Sequence, residues 1–398
     1  MSRRDCDNAA TTWPKPECVW ESWSAAARQC GASAGRGGYS SALKADRLRE
    51  AARVSAARLL RASVERVALV PSATIGLNMV IHGLLEDGDH VIATTADHNA
   101  TLRPLHAAVE AGRATCSFIR CDEDGQVDVR RIVAAVGPAT RWIVLAHGCN
   151  VTGAVQDVSG LAEGLGTIGS VRPGIILDAS QTAGLFQFDV AALGADVVVA
   201  PTHKWIHGMA GVGLMWAREG IEPRAVLQGG TGHTSDQLTM PSTFFQRMEP
   251  GSADTPALAA LTTAIEWLEK SGLSSIGSAC RDVADACALG LREIGGVRVL
   301  HSPGGAPIVA FAVEGYHPQE VAIMLEQMAA IEVRSGLHCA GLFHSSIGFP
   351  AGTIRASFGP FNTHDDAERI VAVIRGLAAK KPKKTVPRFP EASSEVRK

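Results

Sequence analysis

An apolar run, Asp196 to Ala200, ends abruptly on Thr202, His203 and Lys204. A lysine at such a point is either a solvated charge or a buried amine whose depressed pKa suits it to covalent chemistry with a carbonyl group. Asp178 closes a second apolar run, GIILD, and a carboxylate there needs a partner. Ser72, Ala73 and Thr74 follow a third run and open a helical pattern. That arrangement offers backbone N–H groups and a hydroxyl to an anion. His98 has the chemistry to stack on an aromatic ring and to carry a proton. Asn150 and Gln181 can hydrogen-bond a phenolic oxygen. Taken singly, each has an ordinary explanation: a solvated lysine, a helix cap, a turn residue, a surface histidine. Together they describe a pocket for pyridoxal 5'-phosphate. In it the lysine meets the carbonyl, the carboxylate pairs with the pyridinium nitrogen, and the helix start holds the phosphate.

The elements that must position these groups follow from periodicity. Residues 44–61 carry apolar positions at helical spacing, and RVALV reads as a short strand. Helical patterns then begin near Thr74, Thr101, Val127 and Gly160, alternating with the strand-like runs HVIATT, WIVLAH, GIILD and DVVVA. Near-continuous apolar strands separated by amphipathic helices predict a mainly parallel α/β sheet, whose ligands bind at the carboxyl ends of the strands. After Pro256 the pattern changes. Helices over 256–271 and 275–293, strands at 297–300 and 307–313, a helix over 317–328, a strand at 331–334, TIRASFG and a final helix over 364–379 read as a smaller α+β domain. The expected layout is an N-terminal segment (1–20) packed near the site and the small domain, then a large cofactor-binding domain (21–256). A small C-terminal domain (257–379) and a disordered tail (380–398) complete it.

With 398 residues the chain is long enough for a large core, and its net charge of −2 gives no basic excess for nucleic acid or a membrane surface. No stretch approaches the length of a membrane span, and the first thirty residues contain no apolar signal region. The nine cysteines are scattered, without a CxxC pair or a matching histidine cluster, so no metal site is expected. Reduced thiols in a cytoplasmic protein are the simplest reading.

The stretches DNAATT, SATIGLN, DHNATLRPL, HGCNVTGAVQDV, LDASQTAG, THKW, GSADTPALAAL and VRSGLHCAG run in that order through nearly the whole chain. In type, order and spacing the chain resembles the class V, fold type I aminotransferases, and within them the cysteine desulfurase and selenocysteine lyase branch. By position, the resemblance makes Lys204 the lysine that bears the cofactor, Asp178 the pyridine partner and His98 the stacking histidine. Asn150 and Gln181 become the ring-oxygen ligands, and Ala73, Thr74 and His203 fall on the phosphate site. Ser252 stands where the family reaches the phosphate of a second subunit, which implies a homodimer. Arg355 matches the arginine that grips the substrate carboxylate, with Asn150 beside it. One position departs from the pattern. Pro201 stands three residues before Lys204, where the family often has a hydroxyl, so either Thr202 supplies that contact or the phosphate is held by fewer bonds.

Cys339, in VRSGLHCAG, falls on the sulfur-accepting cysteine of group II desulfurases. The resemblance then implies a reaction on a small amino acid, L-cysteine. Arg355 holds the carboxylate, Lys204 takes the α-proton, and Cys339 attacks the substrate sulfur to leave a persulfide and alanine. A sulfur-acceptor protein is implied as a partner. Three other readings use the same residues differently: a C–S or C–Se β-lyase acting on cystine, selenocysteine or a conjugate, a class V transaminase, and a scaffold without catalysis.

Overall fold

The computed structural model describes residues 4–168, 172–233 and 235–380, so the tail beyond Lys380 lies outside the described residues. Strand β1 (Arg4–Asp5) leads the chain. Seven strands follow: β2 (Val67–Val70), β3 (Asp89–Thr94), β4 (Ala114–Ile119), β5 (Thr140–Ala146), β6 (Gly174–Asp178), β7 (Val197–Pro201) and β8 (Gly213–Ala217). They form one sheet in the order β2-β8-β7-β6-β5-β3-β4, with β8 alone running against its neighbours.

The apolar runs of these strands are continuous because both faces of the sheet are covered. Side chains alternate along a strand. Ile143, Leu145, Ile175, Leu177 and Val198 therefore join one core with Leu161 and Leu261, while Val144, Ile176, Val197 and Val199 join another with Leu77 and Leu105. Helices Ala73–Leu84 and Asn99–Glu110 lie on the second face. Two strands escape the sequence pattern. The edge strand β4 has a half-exposed, partly polar face, and β8 follows a glycine-rich turn.

The remaining strands are β9 (Val297–Leu300), β10 (Ile308–Val313), β11 (Ile331–Glu332), β12 (Arg334–Gly336) and β13 (Thr353–Ser357). Four of them form an antiparallel sheet in the order β12-β13-β10-β9. Helices Leu273–Arg292, Pro318–Ala329 and His364–Ala378 cover it through Cys287, Leu325 and Ile370. The helix Thr255–Ser271, placed by sequence on the small-domain side, packs against helices Glu17–Gln29 and Ser40–Leu60 beside the large sheet. At the other end of the chain, β1 pairs in parallel with β11, and Asp7 bridges to Ser357. The N-terminal segment is thus tied to the small domain before it crosses towards the large sheet.

At one point the sheet touches the site directly. Gly213 in β8 packs so closely on the turn after β2 that a Cβ there would lie 2.7 Å from the Ser72 carbonyl carbon and 2.9 Å from the Ala73 nitrogen. Neither is a flexible side-chain atom, so the backbone itself would have to move. Gly213→Ala should destabilise the protein by about 1–3 kcal/mol through overpacking. The check is a lowered thermal midpoint, with Gly211→Ala excluded as control because its positive φ strains any substitution. An unchanged midpoint would show that the turn has slack.

Candidate active site

The carboxyl ends of β3, β5, β6 and β7 and the start of helix Ala73–Leu84 surround a cavity of about 220 Å³. Asp178, His203 and Lys204 line it from the strand ends, and Ser72, Ala73 and Thr74 from the helix start. His98, Asn150 and Gln181 complete its large-domain wall. Ala9 and Ala10 of the N-terminal segment and Arg334 and Arg355 of the small domain close it. The chemistry thus gathers at one edge of the sheet.

Burial lowers the Lys204 pKa to about 8; the Asp178 carboxylate works against this, while Arg355 and Arg334 reinforce it. A fraction of the amine large enough for covalent chemistry is therefore neutral near physiological pH. Asp178 is 4 % exposed and accepts one hydrogen bond, from the Ser180 N–H at 2.9 Å, leaving its carboxylate with further acceptor capacity. His98 caps helix Asn99–Glu110: its Nδ1 accepts from the Ala100 N–H at 3.0 Å. With burial as the main cause its pKa falls to about 4, Asp178 opposing and Lys204 adding to the shift. The ring is neutral, and the cap assigns its proton to Nε2.

At the start of helix Ala73–Leu84, the Ser72 hydroxyl accepts from the Ile75 N–H at 3.2 Å. The first-turn N–H groups of Ala73 and Thr74 have no helical acceptor, and both residues line the cavity. His203, also lining it, is held neutral by burial, its pKa lowered to about 4. The carbonyl of His203 accepts from Lys15 Nζ at 2.6 Å, and that of Lys204 from the Thr12 hydroxyl at 2.8 Å. The N-terminal segment thereby clamps the backbone on which Lys204 sits.

Arg355 is 1 % exposed; its Nη1 donates to the Asn150 carbonyl at 2.9 Å and its Nη2 to Asp7 Oδ1 at 2.7 Å. Arg355 Nε and Asn150 Oδ1 are both buried without a partner among the described residues. Asn150 Nδ2 donates to the His338 carbonyl at 2.6 Å, joining the two domains at the cavity wall. His338 and Cys339 both take left-handed backbone conformations, at φ 50° and 59°. Such conformations cost non-glycine residues of order 1–3 kcal/mol each and cluster at functional sites. The Cys339 sulfur accepts from Arg334 Nη2 at 3.5 Å, and its carbonyl accepts from the Asn99 N–H at 2.9 Å.

Most of the residues singled out by sequence meet at this cavity, but three do not. Cys339 lines an adjoining groove that shares Thr74, His98 and Ala100 with the cavity. Thr202 is fully buried and turned away, its hydroxyl donating to the Met209 and Val212 carbonyls at 2.8 and 2.9 Å. Pro201 lines the cavity while Thr202 does not, so the hydroxyl expected from Thr202 is engaged elsewhere. Ser252 is exposed and bonded to the Ser33 hydroxyl at 2.9 Å, outside its own chain's cavity. Gln181 does line it, yet its Oε1 accepts from the Trp205 indole at 2.8 Å and its Nε2 donates to the Ala9 carbonyl at 3.0 Å. One amide N–H remains for a ligand. Arg334 was missed by sequence reasoning, although it is the second residue of the stretch VRSGLHCAG, five residues before the cysteine it contacts.

The Aminotransferase class-V family model matches residues 6–370. A protein of Mycobacterium leprae described as probable cysteine desulfurase 2 is 31% identical over 349 residues, covering 82% of this chain and 81% of the relative. A probable cysteine desulfurase of Methanothermobacter thermautotrophicus is 28% identical over 379 residues, 93% of this chain and 94% of its own. Among solved structures, the apo cysteine desulfurase of Thermococcus onnurineus NA1 superposes with a TM-score of 0.87 at 26% identity, covering 95% of each chain. A cysteine desulfurase of Escherichia coli does so with a TM-score of 0.83 at 26% identity over 94% of each. The match extends from the segment that clamps Lys204 to the final helix, and so includes every wall of the cavity: the chain belongs to the class-V aminotransferase family of enzymes.

Proposed function

We propose that the protein is a pyridoxal phosphate-dependent cysteine desulfurase, converting L-cysteine to L-alanine and leaving the sulfur as a persulfide on Cys339. The observation that carries this reading is the buried Lys204 amine beside Asp178, with Arg355 lining the same cavity and the Cys339 sulfur held by Arg334 at 3.5 Å. The donor set fits the cofactor. Lys204 would hold its carbonyl, Asp178 its ring nitrogen and His98 its ring face. Asn150 and Gln181 would meet the ring oxygen, and Ala73, Thr74 and His203 the phosphate. When bound, the cofactor supplies a protonated ring that accepts electrons from the α-carbon of an amino acid.

The protein's own residues do the rest. Arg355 orients the substrate by its carboxylate, a planar recognition suited to guanidinium. The Lys204 amine accepts and returns the α-proton. Arg334 holds the sulfur of Cys339, which attacks the substrate sulfur as the nucleophile. One C–S bond breaks and one S–S bond forms. The β-carbon is reduced to a methyl group as the two sulfurs reach the persulfide level, and protons released from Cα and the thiols return to the product. No external oxidant or reductant is needed. The groove beyond Cys339 supports transfer of the outer sulfur to an acceptor partner.

Only the neutral amine attacks a carbonyl. Covalent uptake of pyridoxal phosphate by cofactor-free protein should therefore accelerate with pH up to a midpoint near 8, the value to which burial lowers Lys204, and level off above it. Borohydride trapping and peptide mapping should find the label on Lys204. A rate still climbing past pH 10, or a label on another lysine, would remove Lys204 from this role.

Ser252 lies on the surface, away from its own cavity, and this supports a homodimer in which it reaches the partner's cofactor. Lys204→Ala and Ser252→Trp, each inactive alone, should regain activity when mixed and refolded together, because one site per heterodimer is then intact. No recovery in a verified heterodimer would exclude shared sites.

Cys339 separates this reading from β-elimination, which its place in the outer groove favours as the second reading. The wild type should release one alanine per site from L-cysteine and stall until a thiol acceptor is added. Cys339→Ala should lose alanine release by at least about 10²-fold, since a covalent participant is gone. Pyruvate and ammonia from the wild type, undiminished in the variant, would make the protein a β-lyase.

A further inference from the structure

We infer that Asp7 is a positioning residue for the carboxylate-binding arginine: it anchors Arg355 from outside the cavity, so that the guanidinium is oriented before the substrate arrives. This rests on the reading of Arg355 as the group that grips the amino acid's carboxylate.

Arg355 lies on β13 and is 1 % exposed, with Arg334 and Lys204 as the other cations on the cavity wall. A guanidinium buried there without a counter-ion would carry a heavy desolvation penalty. Asp178 is assigned to the cofactor's ring nitrogen and is not among the groups acting on Arg355, and a substrate carboxylate comes and goes with each turnover. Asp7 is the permanent counter-ion. Its Oδ1 accepts from Arg355 Nη2 at 2.7 Å, and it opposes the fall in the arginine's pKa that burial causes.

The geometry is that of an anchor. Asp7 is 27% exposed at its side chain and does not line the cavity, although Ala9 and Ala10, two and three residues on, do. It therefore binds Arg355 from behind and leaves the cavity side open. Its backbone is stitched to the strand that carries the arginine. The Ser357 N–H donates to the Cys6 carbonyl at 2.6 Å, Asp7 bridges to Ser357, and the Ala9 N–H donates to the Ser357 hydroxyl at 2.9 Å. The Asp7 N–H is itself held by Asp5 Oδ1 at 2.7 Å. With Nη1 tied to the Asn150 carbonyl and Nη2 to Asp7, the plane of the guanidinium is set at two points. The buried Nε has no partner among the described residues and remains available, together with the second hydrogens of Nη1 and Nη2. Orientation established before binding lowers the entropy cost of recognition.

The test compares two ligands that cannot lose sulfur, L-alanine, which has the carboxylate, and ethylamine, which lacks it. Binding to holoenzyme is followed by the change in cofactor absorbance, a readout independent of turnover. Asp7→Asn keeps the shape and removes the charge, and should weaken L-alanine by about tenfold, the scale of a charge-assisted hydrogen bond, while ethylamine binding stays as in the wild type. Asp7→Ala should do the same more strongly, and KM for L-cysteine should rise more than kcat falls. Equal weakening of both ligands would reduce Asp7 to a general structural role, and L-alanine binding unchanged or tightened would overturn the anchor. If the wild type itself does not prefer L-alanine to ethylamine, the assignment of Arg355 fails and the proposal falls with it, an outcome distinct from failure of Asp7 alone.

Discussion

Strands that run the same way end at the same edge, and the site depends on this constraint. β3, β5, β6 and β7 are parallel neighbours, so the residues that follow or close them are brought together although they lie far apart in the chain. His98, Asn150, Asp178 and Lys204 are such residues. The crossover helices supply the second ingredient. Their N-termini face the same edge, offering the free N–H groups of Ala73 and Thr74 and the cap at which His98 is held. A sheet wound in this way presents a lysine, a carboxylate and an anion site together without any of them being adjacent in sequence.

Burial then decides how those groups behave. It brings the Lys204 amine down to about pH 8 and holds His98 and His203 neutral, their pKa values lowered to about 4. Among the described residues the cavity is lined by three cationic side chains, Lys204, Arg334 and Arg355, and by one carboxylate, Asp178. This excess of positive charge suits anionic ligands.

Neither domain completes the cavity alone. The large sheet supplies one wall, while the small domain contributes Arg334 and Arg355 and the first residues of the chain contribute Ala9 and Ala10. Short links hold these parts in register. Asn150 reaches the His338 carbonyl at 2.6 Å, and Arg355 reaches the Asn150 carbonyl at 2.9 Å. Gly153, at φ +82°, allows the chain to approach within hydrogen-bonding range of Ala306, where a Cβ would lie 2.3 Å from the Ala306 carbonyl oxygen. The N-terminal segment does two jobs along one stretch: Asp7 holds the Arg355 guanidinium, and Thr12 and Lys15 hold the backbone of His203 and Lys204.

Much of this was legible in the residues. Both faces of a parallel sheet are buried, so its strands read as unbroken apolar runs, and the polar group that ends each run announces the edge at which ligands bind. That reasoning reached Lys204, Asp178, His98 and the helix start at Ala73 without coordinates. It did not reach β4, whose half-exposed edge lacks the apolar run, nor the packing of helix Thr255–Ser271 beside the large sheet. Side-chain direction was also out of its reach. Thr202 and Lys204 are two residues apart, yet one spends its hydroxyl on the turn at Met209 and Val212 while the other lines the cavity. The pairing of Asp7 with Arg355 spans nearly the whole chain, and that of Arg334 with Cys339 depends on two consecutive left-handed residues. Periodicity is a local property and survives in the sequence. Which partner a polar atom meets is decided by long-range closure, and only the folded chain contains it.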